Sequence, residues 1–126
     1  NLLIGIWAAF FPRSFFGDFP GLGRIWVAVD GPYNEHLVRD VGAAVLGLAV
    51  VTGAALITRR EMLIRTAGWA SLVFGLPHVI YHARHLGPFD AADAVGTVST
   101  LALGTLAAVV LVIPDRSSRE DASSDQ

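Results

Sequence analysis

Two short stretches of the sequence hold side chains that bind metal ions. His36 and Asp40 lie in NEHLVRD, and His78 and His82 lie in PHVIYHARH. Each pair is spaced four residues apart, so on a helix both members lie on one face. Three imidazole nitrogens and one carboxylate form a ligand set suited to Zn, Fe, Mn or Cu(II). If the two pairs face each other, the sequence predicts one transition-metal site between two helices.

The two pairs are expected to lie at the same depth. A tight turn at Arg59 and Arg60 joins the two segments, which makes them antiparallel neighbours. His36 precedes Arg59 by 23 residues, and His82 follows Arg60 by 22 residues. Since each helical residue rises by the same ~1.5 Å, the two histidines should reach a similar height, as should the other members of the pairs.

Further polar side chains flank these pairs in the sequence. We expect them to act as additional ligands, or to hydrogen bond the imidazoles and so orient them. If the site is catalytic, the ion would act as a Lewis acid or electron carrier, and Glu35 or Asp93 would shuttle protons. The spacing also predicts an ion pair between Glu35 and Arg39. The flanking residues are Glu35, Arg39, Tyr81, His85 and Asp93.

Three other interpretations use the same residues. In the first, His36 and His82 belong to a hydrogen-bonded polar cap that holds no metal. In the second, they are axial ligands of a haem whose propionates bind Arg39 and Arg84. Haem is the less favoured cofactor, because glycine and alanine should pack these helices closely. In the third, the site binds a small molecule or protons, since imidazole titrates near neutral pH.

The segments that carry these residues are apolar enough for a membrane. Only 16% of the 126 residues are charged, whereas soluble domains average about 25%, and the mean hydropathy is +0.55. Four apolar blocks, 1–11, 36–58, 61–86 and 90–113, predict an all-α, up-down four-helix transmembrane bundle in a single domain. The polar tail at 114–126 is expected to be disordered.

The first block is too short to cross a bilayer. Its 11 residues rise only ~16 Å as a helix, whereas the hydrocarbon core is ~30 Å thick. Because the chain starts within an apolar run, we expect a truncated first helix whose beginning lies upstream. A loop rich in Gly, Pro and aromatic residues follows it. This loop is expected to cover one end of the bundle, with a short helix near 21–29.

Polar and small residues recur with helical spacing in three blocks. Small residues mark surfaces where membrane helices pack, and ionisable groups at membrane depth usually face the bundle interior. We therefore expect these polar stripes to point inward. They are His36, Asp40, Ala43 and Gly47 in the second block; Gly68, Ser71, Gly75, His78, His82 and His85 in the third; and Asp93, Thr97, Thr100 and Gly104 in the fourth.

Composition excludes several classes of function. The chain has no cysteine, which excludes disulfides, thiolate metal sites and cysteine nucleophiles. Its only methionine is Met62, far from the histidines, so Cu(I) is disfavoured. The net charge of −2 provides no basic surface for nucleic acid. Neither a P-loop nor a G-x-S-x-G motif is present.

Arginine positions predict an orientation in the membrane. Arg59, Arg60 and Arg65 surround the turn between the second and third blocks. Arg116 and Arg119, in the tail, lie on the same side. Since positive charge in short loops favours the cytoplasm, we expect an integral protein of the plasma membrane with this turn and the tail cytoplasmic.

The stretch FPRSFFGDFPG, together with NEHLVRDVGAAVLGL, resembles small actinobacterial membrane proteins of unknown function and, more distantly, the DoxX-like four-helix membrane families. The similarity covers about residues 4–58 and consists of an aromatic–proline loop followed by Arg39 and Gly42 at the start of the second helix. It implies an up-down four-helix bundle with a polar site near the loop. The histidines of PHVIYHARH lie outside the DoxX-like pattern, so the resemblance implies no role for them.

Two functional hypotheses follow. The first is a binding or redox-type membrane protein with a His/Asp metal site. The second is a structural or accessory subunit that packs against a larger membrane complex or against its own copies. The direction in which four glycines point discriminates between them, because glycines facing lipid imply a partner helix. These glycines are Gly47, Gly53, Gly96 and Gly104.

Overall fold

The computed structural model describes residues 1–113, in which the chain is mainly helical. Helices α1 (Leu2–Phe10) and α2 (Pro12–Asp18) precede a small antiparallel hairpin, formed by β1 (Pro20–Gly21) and β2 (Arg24–Ile25). A short 3-10 helix, Ala28–Asp30, then leads into three long helices. These are α3 (Glu35–Thr58), α4 (Glu61–Arg84) and α5 (Ala91–Val112), and they lie within two residues of the predicted apolar blocks.

Side-chain caps determine where two of the long helices begin. Asn34 accepts a 3.1 Å hydrogen bond from the backbone N–H of Leu37 at the start of α3, as its residue type predicts. Asp90 accepts a 2.7 Å bond from the N–H of Asp93 at the start of α5. At the other end of α3, Arg59 adopts a left-handed backbone with φ of 52°, which ends the helix and reverses the chain.

The segment between α1 and α3 departs from the sequence-based prediction. A helix near 21–29 is wrong, because three successive residues, Gly21, Leu22 and Gly23, have positive φ and a right-handed helix excludes that conformation. The hairpin occupies this region instead. The helix forms earlier, with Pro12 at its first position, where the fixed φ of proline suits a helix start.

The helices form an open row. Helix α1 packs against α3, α3 against α4, and α4 against α5. Within residues 1–113 no comparable packing joins α1 to α5, so the row does not close into the predicted four-helix bundle. With nine residues, α1 is too short to cover the length of the other helices. We call the end of the row where α3 and α5 begin the loop end, because the hairpin lies there.

Glycines allow close backbone contact at two of the junctions. A Cβ on Gly42 in α3 would lie 2.8 Å from the carbonyl carbon of Ala8 in α1 and would overlap Ala9. A Cβ on Gly68 in α4 would lie 2.8 Å from a methyl carbon of Val112 in α5. Small residues bring membrane helices together in this way, because lipid provides no hydrophobic drive for helices to associate.

Much of the long-helix surface is apolar and exposed. The three long helices are each long and apolar enough to cross a membrane. Large side chains such as Val50, Val73, Leu103 and Val110 point away from the protein, and few side chains are buried. Such a surface would be unfavourable in water but matches a bilayer interior. The length and composition of the three helices and their exposed apolar side chains are those of a membrane protein.

The contact at Gly42 generates a prediction about stability. Gly42→Ala should destabilise the protein by about 1–3 kcal/mol, the usual cost of overpacking, because the added methyl meets the backbone of α1. Unfolding in detergent would measure this change. The matched control is Gly47→Ala on the same helix, where a Cβ meets nothing within 4 Å and the better helix propensity of alanine should leave stability equal or higher. Equal effects of both variants would contradict the close packing of α1 on α3.

Candidate functional site

His36 and Asp40 form an ion pair on the outside of the protein. The Nε2 atom of His36 lies 3.3 Å from Oδ2 of Asp40, and the two side chains are 88% and 61% exposed. The inward direction expected for this stripe is therefore wrong in the isolated chain. Further along the same face of α3, Ala43 and Gly47 are also exposed. The predicted stripe exists, but it faces the surroundings.

His78 and His82 lie together on α4. Their rings stack, with centroids 4.9 Å apart and planes inclined by 25°. Phe74 packs beside His78 at 5.4 Å between centroids, and Phe89 lies 6.4 Å from His82. The Nδ1 atom of His82 is buried and, within residues 1–113, has no hydrogen-bond partner. This pair is therefore partly shielded by aromatic rings.

The α4 stripe faces α5 rather than α3. A Cβ on Gly75 would lie 3.1 Å from Oγ1 of Thr105, and Gly68 lies against Val112, both on α5. Since His78 and His82 continue the spacing of these glycines, they belong to the α4–α5 side of the row. This direction explains why the two predicted pairs do not meet. Among residues 1–113, no group of three or more His, Cys, Asp or Glu side chains is placed to hold a metal ion.

Glu35 and Arg39 form the predicted ion pair. The Nε atom of Arg39 donates a 3.0 Å hydrogen bond to Oε1 of Glu35, and Nη2 lies 2.9 Å from the same oxygen. Arg39 also donates from Nη1 to the backbone carbonyl of Ala9 at 2.6 Å. Because the last carbonyls of a helix lack partners within it, Arg39 ties the end of α1 to the start of α3.

Tyr81 and His85 form a separate contact at the end of α4. Their rings stack with centroids 4.1 Å apart. His85 Nδ1 lies 2.8 Å from the carbonyl oxygen of Tyr81, one of the unpaired carbonyls at the end of the helix. Both side chains are exposed. Neither residue joins His36 or Asp40.

A different polar group, which we call the Asp93 clasp, consists of Arg24, Trp26 and Asp93. Trp26 donates from its indole Nε1 to Oδ1 of Asp93 at 2.8 Å, and the Arg24 guanidinium donates to the same oxygen. The Asp93 side chain is only 16% exposed. The hydrogen bond and charge of Asp93 raise the pKa of Arg24 above its ordinary value, so the arginine stays charged and the clasp stays ionic.

The clasp fastens the hairpin to α5. A Cβ on Gly96 would lie 3.0 Å from the Trp26 ring, so the glycine leaves room for the indole one turn below Asp93. Sequence reasoning assigned Asp93 to the metal site and missed its partners. A carboxylate in an apolar helix requires a partner, and this requirement could have predicted an ion pair between Asp93 and an arginine of the loop. It does not choose between the two arginines there: Arg13 instead lies over the Tyr33 ring, 5.0 Å from its centroid.

Two further buried polar atoms lack a hydrogen-bond partner within residues 1–113. They are the hydroxyl oxygens of Tyr33 and Thr97. Thr97 is 4% exposed and belongs to the predicted α5 stripe. Since Gly75 lies opposite Thr105 and the helices are antiparallel, Thr97 lies near the level of His82. Unpaired polar atoms are costly to bury. Two of them, Nδ1 of His82 and Oγ1 of Thr97, lie at this level of the α4–α5 junction.

No protein-family model, curated protein or solved structure matches the chain. The resemblance to the DoxX-like families therefore stays a prediction.

The clasp generates a second prediction. Asp93→Asn removes the charge that Arg24 pairs with, so the hairpin should loosen and its backbone amides should exchange with solvent roughly tenfold faster, as expected for local opening. Hydrogen–deuterium exchange in detergent or lipid nanodiscs measures this rate. Asp40→Asn is the matched control, because among residues 1–113 Asp40 pairs only with His36, at an exposed position. If both variants leave hairpin exchange unchanged, the clasp does not hold the loop.

Proposed function

We propose that the chain is an integral membrane protein that acts as a structural or accessory subunit, and that exposed faces of α3 and α5 receive transmembrane helices of a partner. The single observation that carries this proposal is the direction of the glycines. A Cβ added to Gly47, Gly53 or Gly104 would meet no atom of residues 1–113 within 4 Å. Of the four glycines that discriminate between the hypotheses, only Gly96 is used internally, against Trp26.

The contrast between glycines on one helix supports this reading. Gly42 and Gly47 both lie on α3, yet Gly42 is in tight contact with α1 whereas Gly47 is open. Gly104 on α5 is open at a similar depth, since each lies about 20 Å below the loop end at ~1.5 Å per residue. Glycine in a helix costs roughly 0.5–1 kcal/mol relative to alanine. Close approach of another helix is the usual compensation in membranes.

Polar groups on the same face also favour a partner. The His36–Asp40 pair lies on the α3 stripe that contains Gly47, at the loop end. Ionisable groups on a lipid-facing surface are costly, and a partner helix seated on this stripe would cover them. The open row also favours a partner, because within residues 1–113 each end helix of the row packs against only one of the long helices. In this proposal the clasp and the Glu35–Arg39 pair form a polar cap that holds the loop end together.

The proposed location is the plasma membrane, with the turn at Arg59 and Arg60 on the cytoplasmic side. The arginines around that turn support this orientation. The loop end and its hairpin would then lie on the opposite side. The partner would be a membrane protein or a second copy of the chain.

Bulky substitutions at the open glycines test the proposal. Gly47→Leu together with Gly104→Leu should leave the fold intact, since neither position contacts the chain's own helices, but should block close approach of a partner. After mild solubilisation of native membranes, blue-native electrophoresis should show the wild type in an assembly larger than the 13.4 kDa chain and the variant released from it.

The control for this experiment is Val73→Leu, which adds bulk at an exposed position of α4, a helix that lies outside the proposed partner faces. It should leave the assembly unchanged. The proposal fails if the wild type migrates alone, or if the double variant remains in the assembly.

A metal site that includes His78 and His82 is the second candidate. Its support is the stacking of the two imidazoles at 4.9 Å together with the unpaired Nδ1 of His82. Because the described residues assemble no third ligand beside them, a partner or a second copy would have to supply the remaining ligands. Zn, Fe, Mn and Cu(II) are the ions suited to imidazole. Haem would need both axial ligands to face one gap, and His36 faces outward.

Metal analysis separates the two candidates. If His78 and His82 bind a metal, tag-free protein purified in mild detergent should contain about one equivalent per site by inductively coupled plasma mass spectrometry. The substitution His78→Ala with His82→Ala should remove it, whereas His85→Ala should not, since His85 lies against Tyr81. A Soret band would select haem. Equal metal content in the wild type and the double variant would exclude this pair as the site.

A further inference from the structure

The apex of the hairpin carries an unusual leucine. Leu22 and Gly23 form the two-residue connection between β1 and β2, and both have positive φ, 59° and 75°. Positive φ at both central residues is the mark of a type I′ turn, which favours Asn, Asp and Gly. The Leu22 side chain is fully exposed. A leucine at this position is thus disfavoured by its left-handed backbone conformation. In water, the exposure of its apolar side chain would be unfavourable as well.

Such an outlier in the backbone points toward function. A residue preferred at the turn, such as asparagine, would form the same hairpin without this strain. The leucine adds nothing to the packing of the chain itself, because it is fully exposed. Ile25, at the base of the hairpin, is also exposed. The hairpin therefore presents apolar side chains away from the protein, and its flanking glycines place the leucine at the tip.

The clasp sets the depth of the hairpin. Arg24 and Trp26 both bind Asp93, which lies in the first turn of α5, where that candidate membrane span begins. Leu22 is two residues from Arg24, so it lies within ~7 Å of this level at ~3.4 Å per strand residue. Tryptophan and arginine are residue types that place polar atoms at the headgroups and apolar parts in lipid. If α5 spans the bilayer from its first turn, the apex therefore lies close to the boundary between membrane and water.

We infer that the Leu22 apex inserts into the interfacial region of the lipid bilayer that surrounds the protein. This inference rests on the membrane integration in the proposed function. Two apolar side chains make a patch far smaller than a stable protein interface, which needs about 1,000 Å². Burial of one leucine side chain in lipid is favourable, and the clasp already holds the hairpin at that level. The hairpin thus acts as a lateral anchor at the loop end, fixed to α5 by the clasp.

Site-directed spin labelling tests the inference directly, because the chain has no native cysteine. Leu22→Cys carrying a nitroxide would be studied in the full chain, reconstituted in phosphatidylcholine–phosphatidylglycerol vesicles. Power saturation with oxygen, which concentrates in lipid, and with a water-soluble nickel chelate reports its depth. The reference positions are Leu103→Cys, exposed on the α5 span, and Asp30→Cys, exposed in the loop.

The expected result is that the label at Leu22 is more accessible to oxygen than to nickel, like Leu103 and unlike Asp30. If Leu22 behaves like Asp30 while Leu103 reports lipid, the anchor is overturned and membrane integration stands. If Leu22 and Leu103 both report water, membrane integration fails as well. If neither reagent reaches Leu22, a protein covers the apex and the lipid anchor is overturned.

Discussion

At Gly42 the backbones of α1 and α3 approach so closely that any side chain would overlap Ala8 and Ala9. Contacts of this kind hold the row together, since lipid provides no hydrophobic drive between apolar helices. Gly68 serves the same purpose between α4 and α5. These contacts also set the rotation of each helix about its axis. Once Gly68 faces α5, the histidines that continue its spacing must turn toward α5 as well.

The predicted ligands and their neighbours therefore fall into three separate groups. The His36–Asp40 pair is left on an exposed face of α3, whereas His78 and His82 stack on the α5 side of α4. Asp93 takes its partners from the hairpin rather than from a histidine. The result is a protein whose polar contacts serve mainly to join neighbouring segments at the loop end.

Glycines in close contact with a neighbouring helix and glycines without such a contact distinguish the internal faces of the helices from the faces that a partner could reach. Gly42 and Gly68 contact neighbouring helices, whereas Gly47 and Gly104 have no such contact among residues 1–113. A face with open small residues accepts another helix more readily than a face of leucines does, because backbones can come closer. The hairpin at the loop end adds a second surface of different character, apolar and raised on a turn. The proposed accessory role depends on the open glycines, and the proposed lipid anchor depends on the hairpin.

The three long helices and the contacts within them follow from the sequence alone. Apolar length set the three long helices, the type of residue 34 set a cap, and the spacing of Glu35 and Arg39 set their ion pair. Packing between the elements fixed which way each stripe points and which loop residues bind Asp93. The physical reason is that helical periodicity specifies which side chains share a face, whereas the direction of that face depends on packing against neighbouring helices. Likewise, the loop had two arginines, and its fold placed one on Tyr33 and the other on Asp93.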